Sequence, residues 1–168
     1  SIPWRSSFRE GLIDADENQK PMLLWAMNGH PLGCTWNNGV AGRRFVWSDP
    51  RIIEVAEQFI PTTDEVWRLQ RVQDSDAIFF QEMANKGHYR TAGRTRQGIY
   101  VCSPNGKLLS SINSLNADDV LKSIKNGLEK WNGLSVSERQ LPTDQKLKPS
   151  HRWENSYPDQ GLVLTSAN

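Results

Sequence analysis

Residues 21–36 read PMLLWAMNGHPLGCTW. The continuous apolar run Met22–Met27, bounded by Pro21 on one side and Asn28-Gly29 on the other, has the pattern of a short strand buried on both faces. The stretch that follows is loop chemistry, broken by Gly29, Pro31, Gly33 and Gly39. In it sits a lone cysteine, Cys34, between His30 and Trp36. A loop leaving the end of a central strand with one thiol admits three readings: a working nucleophile, a metal ligand, or a small buried residue.

Working outward, Phe8 to Asn18 carries Phe8, Leu12 and Ala15 at helical spacing, with Ser6 or Ser7 to cap it and Lys20-Pro21 to end it. A short helix is expected from Asn37 or Asn38 to about Arg44. Ser48-Asp49-Pro50 opens another, with Ile52, Ile53, Ala56 and Phe59 as its apolar stripe. A second extended segment begins at Phe59-Ile60 and is expected to run to Trp67-Arg68. Asp74 to Lys86 reads as a helix presenting Ile78, Phe79, Glu82 and Met83, closed by Gly87. Residues 98–103 (GIYVCS) form a third strand, Asn105-Gly106 a tight turn, and residues 108–113 its hairpin partner. Ala117-Asp118-Asp119 opens a last helix, inward at Val120, Leu121, Ile124, Leu128 and Trp131, and stopped by Asn132-Gly133. Alternating strands and helices that finish in a hairpin and a helix imply an α/β fold: a three-layer sandwich with a mixed central sheet. The domain is expected over residues 4–132. Residues 133–168 are a polar C-terminal extension or the start of a further, truncated domain.

The chain of 168 residues has a net charge of +1, which gives no field directed at nucleic acid or a membrane surface. Lys86, His88, Arg90, Arg94 and Arg96 gather in one stretch, read as a solvated loop. No apolar stretch approaches the ~18 residues of a membrane span. Ser1 as first residue reads as a processed or trimmed start. Cys34 and Cys102 are the two cysteines, without a C-x-x-C, so a four-cysteine zinc site and a disulfide framework are excluded. Free thiols suit a cytosolic or a periplasmic chain, with the extracytoplasmic side slightly favoured. Nucleotide-loop and Ser-centred elbow motifs do not occur.

Several local wordings, taken in order, resemble the thioredoxin-like superfamily. Ala15, Glu17, Lys20 and Pro21 are similar to the A-x-x-E-x-K-P of a bacterial branch. MLLWAM matches the strand that leads to the family's redox loop, WSDPRIIEVAEQFIP its next helix and strand, and GIYVCSPNGKLL its hairpin. The resemblance covers residues 4 to 132. It implies a thioredoxin-like sandwich and thiol chemistry with a thiol, a disulfide or a protein as partner. Two family features are missing. His30-Pro31-Leu32-Gly33-Cys34 holds one cysteine of the expected C-x-x-C, and Arg96, Gln97 and Gly98 stand where the family has a cis-proline.

Three site readings follow. In the preferred one Cys34 is a nucleophile, its thiolate favoured by a helix N-terminus near Thr35–Asn38, with His30 as base or second partner. Trp36 stands two residues on, where a second redox residue would sit, or serves as a lid on the loop. In the second, His30 and Cys34 bind a soft metal, copper above all, with His88 as third ligand. In the third the fold is kept as a binding module without chemistry or cofactor. Cys102 is expected in the core. It lies about five residues along its strand from the redox-loop end, on the order of 16 Å at ~3.3 Å per residue and beyond the ~7 Å Cα limit for a disulfide.

Overall fold

The computed structural model describes residues 2–28, 40–89 and 95–146. Helix α1 spans Phe8–Asn18. Ser7, extended at φ −146°, accepts from the Glu10 amide, and the Glu10 carboxylate reaches back to the Ser6 amide at 3.2 Å. These caps satisfy amides that have no partner within the helix. Phe8, Gly11, Leu12 and Ala15 are buried at three- and four-residue spacing. Gln19 ends the helix in the left-handed region (φ 51°).

Strand β1 (Met22–Met27) is buried at every position. Successive side chains of a strand point to opposite faces, so the run feeds two cores at once. Leu23, Trp25 and Met27 enter the first. It also holds Val46 and Trp47, Ile52 and Val55 of α2 (Pro50–Ala56), and Val120, Ile124 and Trp131 of the long C-terminal helix. Met22, Leu24 and Ala26 enter the second, with Phe8 and Leu12 of α1 and a further pair of helices, α3 (Val66–Leu69) and α4 (Ser75–Ala84). Each large apolar side chain withdrawn from water in this way contributes about 1.5–3 kcal/mol before entropy is counted.

The sheet has four strands in the order β2-β1-β3-β4, with β2 Ile60–Glu65, β3 Gly98–Cys102 and β4 Leu108–Ile112. β1 runs parallel to β2, with Met27 beside Glu65, and antiparallel to β3, with Ala26 beside Gly98. β3 and β4 form the expected hairpin, turned at Gly106 (φ 93°) and irregular between Val101 and Cys102. Before α1, Arg5 makes one parallel bridge to Thr62 on the outer side of β2. The final long helix, α5 (Ala117–Asn132), is capped by Asn116 and packs on the first core. This is the three-layer α/β sandwich with a mixed sheet that the thioredoxin-like resemblance implies. Beyond α5 the chain turns back, and Leu141 is buried in the second core while its amide donates to Asp16 at 2.9 Å.

Three expectations change. The second strand stops at Glu65, and Val66–Leu69 wind into α3 instead of running on to Arg68. Val66 and Leu69, three apart, both turn inward, and Arg68 reaches back one turn to Asp64 at 3.7 Å. The inward face of α4 is Ala77, Phe80, Met83 and Ala84, with Ile78 exposed. Phe80 fixes that rotation by meeting Phe8 and Tyr100 edge-on at 5.8 and 5.5 Å. The helix expected to end near Arg44 begins outside the described residues, and the described part runs on as a wide turn, Gly42–Val46, with Gly42 against the Trp25 ring.

Asp64 ties the second core together. It is fully buried, accepts from the Phe8 amide at 2.8 Å and the Glu65 amide at 2.7 Å, and faces Arg68, which bridges to Asp74 at 2.9 Å. A carboxylate at a helix N-terminus is favoured by the unpaired amides there.

α1 approaches β2 at Gly11, where a Cβ would fall 2.2 Å from Thr62 Oγ1 and 2.6 Å from its Cγ2. Gly11→Ala gains up to about 1 kcal/mol of helix propensity and loses about 1–3 kcal/mol to overpacking. The overpacking wins, so urea denaturation should give a lower midpoint with an unchanged slope. Adding Thr62→Ala should recover part of the loss.

Candidate functional site

β1 ends at one rim of the sheet, beside the end of β2 and the start of β3. Residues 29–39, which follow β1 in the chain, lie outside the described residues. Asn28 closes the strand and its amide nitrogen reaches Gln97 Oε1 at 3.4 Å. Gly98 opens β3 with φ +151°, and a Cβ there would lie 2.5 Å from His88 Cε1 and 2.8 Å from the Ile112 carbonyl oxygen. A side chain at 98 would therefore expel His88.

His88 is held from three directions. Its backbone amide donates to Ser111 Oγ at 2.8 Å. Its ring lies 5.2 Å from that of Tyr100, whose hydroxyl donates to the Arg96 carbonyl. Its Nε2 is 2.9 Å from the Gln97 carbonyl oxygen. A carbonyl only accepts, so Nε2 carries the proton and Nδ1 presents a lone pair. That Nδ1 is buried and has no hydrogen-bond partner among the described residues. Burial lowers the imidazole pKa from its ordinary value, partly offset by the Gln97 carbonyl. The ring is thus held with its proton on Nε2 and a buried Nδ1 lone pair that no described residue engages.

Cys102 is at the opposite end of β3, paired with Met22 at the start of β1. It is 0% exposed, and burial pushes its thiol up to about 12. At neutral pH it is protonated and sealed from reagents. Of the sequence-derived site residues, His88 stands at the rim, while His30, Cys34 and Trp36 lie outside the described residues, as do Arg90 and Arg94. Among the described residues no three His, Cys, Asp or Glu side chains gather as a metal site, and no helix is long and apolar enough to cross a membrane.

The sequence reading passed over Gln97, Gly98 and Tyr100 as site residues, although they fix the His88 tautomer and ring. Gly98, a glycine opening a strand, was the available signal for a close approach. Trp67 was also missed, 52% exposed on α3 just after β2.

Comparison with known proteins adds little. No protein-family model matches the chain, and no curated protein matches it. A solved thioredoxin from Thermus thermophilus is similar over 74% of this chain and 85% of its own, with 18% identity and a TM-score of 0.48. At that level the likeness carries no argument about activity.

A histidine with a lowered pKa stays neutral in the folded chain while its unfolded counterpart protonates near 6.5. The unfolded state then binds more protons, so stability is fully present above about 6.5 and is lost as pH falls through the folded-state pKa. Urea midpoints at pH 7.5 and 5.5 should therefore drop less for His88→Gln than for the natural chain, and an equal drop would show that His88 does not titrate on unfolding.

Proposed function

We propose that this is a thioredoxin-like protein that performs thiol–disulfide exchange through the single cysteine Cys34. The observation that carries the reading is the state of Cys102. A buried thiol with a pKa near 12 cannot attack or resolve anything, so the thiol chemistry of this chain falls to Cys34. The place of Cys34 in the sequence, seven residues after the end of β1, a strand that stops at the rim holding His88, supports the same reading.

The Cys34 thiolate attacks one sulfur of a partner disulfide. A Cys34–partner mixed disulfide forms, the partner's S–S bond breaks, and its second sulfur leaves as thiolate. With Cys102 withdrawn, a low-molecular-weight thiol completes the cycle by attacking the mixed disulfide and releasing the Cys34 thiolate. Each step exchanges one S–S bond for another, so electrons balance without an added oxidant. In this reading His30 serves the thiol as base or as a second partner.

One observation favours a second reading. His88 Nδ1 is buried and unpaired among the described residues, and with His30 and Cys34 brought to it the donor set would suit copper(I).

Iodoacetamide labelling across pH, read by mass spectrometry of each cysteine peptide, separates these. Cys34 is expected to label at least tenfold faster than Cys102 at pH 7, with a pKa below the ordinary ~8.5. Cys34→Ser should abolish mixed-disulfide formation with glutathione disulfide, and Cys102→Ser should not. Labelling as slow at Cys34 as at Cys102 would sink the redox reading. Protection of Cys34 by copper, lost in His88→Ala, would put the metal reading in its place.

A further inference from the structure

The same rim carries cations that no carboxylate among the described residues neutralises. Four arginines of the described residues pair with an aspartate: Arg5 with Asp14, Arg9 with Asp76, Arg51 with Asp49 and Asp118, and Arg68 with Asp64 and Asp74. Arg71 and Arg96 lie over aromatic rings instead, as Arg44 and Arg139 do elsewhere on the molecule. Arg71 lies over the exposed Trp67 ring, 5.2 Å from its centroid, and Arg96 lies over Tyr89 at 4.6 Å. Neither pairs with a carboxylate among the described residues.

The two pairs belong to one surface. The Arg96 amide donates to Gln70 Oε1 at 2.9 Å, which joins the start of β3 to the residue beside Arg71. Gln81 holds the same turn from beneath, donating to the Leu69 and Val72 carbonyls at 3.0 Å each. The Arg96 Nε donates to Asn85 Oδ1 at 2.9 Å, next to exposed Lys86. The chain from Met83 to Ala117 contains no acidic residue. Guanidinium groups laid on aromatic rings keep their in-plane donors free for a bidentate carboxylate, and Trp, Tyr and Arg are the residues that dominate protein interfaces.

We propose that this rim docks an acidic, aromatic-bearing segment of a protein partner, its carboxylates on Arg71 and Arg96 and its apolar side chains against Trp67 and Tyr89. Charge complementarity selects the occupant. A nucleic acid would need a longer run of phosphate contacts than the three cations of this surface among the described residues, Arg71, Lys86 and Arg96, supply on a chain of net charge +1. Docking does not depend on the chemistry of Cys34, so it should survive in Cys34→Ser.

The test is fluorescence anisotropy with a short fluorescein-labelled peptide alternating glutamate with phenylalanine and tyrosine. Its lysine-for-glutamate counterpart and a single-stranded DNA oligonucleotide are run beside it. The acidic peptide should bind most tightly, weaken as salt rises, and lose about tenfold or more in the double variant R71E/R96E. Trp67→Ala should weaken it separately, and K122E/K125E on the far helix α5 should leave it unchanged. Circular dichroism checks that each variant is folded, and the milder R71Q/R96Q replaces any variant that is not. Equal binding of the acidic and basic peptides, indifference to R71Q/R96Q, or tighter binding of the oligonucleotide would each overturn the proposal.

Discussion

One constraint organises this molecule: β1 has no solvent face. Its six residues are apolar and all are buried, so the sheet needs a helical layer on either side and a strand on either edge of β1. Helices α2 and α5 supply one layer, and α1, α3 and α4 the other. Parallel pairing to β2 forces a crossover connection between the two strands, and β1 ends at the rim where that connection begins. Site and fold thus share one cause. A strand that must be central delivers its C-terminal end, and whatever follows it, to the place where β2 stops and β3 begins.

Elements whose signals were local and mutually consistent were legible from sequence. α1 has a cap, a stripe and a proline stop, and the β3–β4 hairpin has an Asn-Gly turn. The errors came where a residue served two patterns. Val66 and Trp67 extend the apolar character of β2, yet Val66 and Leu69 are three apart and go inward together as a turn of helix. In α4 a cluster of four apolar residues, Ala77 to Phe80, allows several faces, and only the meeting of Phe80 with Phe8 and Tyr100 chooses among them. That choice is made by residues distant in sequence, and periodicity does not contain it.

The candidate site was legible in part for the same reason. Cys102 could be assigned to the core by counting along a strand. His88 was noticed as a possible ligand, but its tautomer depends on a carbonyl nine residues away and its place on the absence of a side chain at Gly98. The pairing of Trp67 with Arg71 follows a helical spacing, whereas that of Tyr89 with Arg96 spans a loop and the link through Gln70 spans an element boundary. Such contacts are products of tertiary placement.

The single bridge between Arg5 and Thr62 has a consequence for self-association. The amide of Arg5 donates to the Pro61 carbonyl at 2.8 Å and its carbonyl accepts from Thr63 at 2.9 Å. Those two bonds occupy the hydrogen-bonding edge of β2, which would otherwise offer unpaired backbone to a second molecule. The opposite edge, β4, is short, irregular in register and built on Ser110 and Ser111, a poor template for strand addition. A chain cleaved ahead of Phe8 would bare this edge of β2 and also strip Trp4 from the first core and the Ser7 cap from α1, so the segment that guards the edge is also part of the fold.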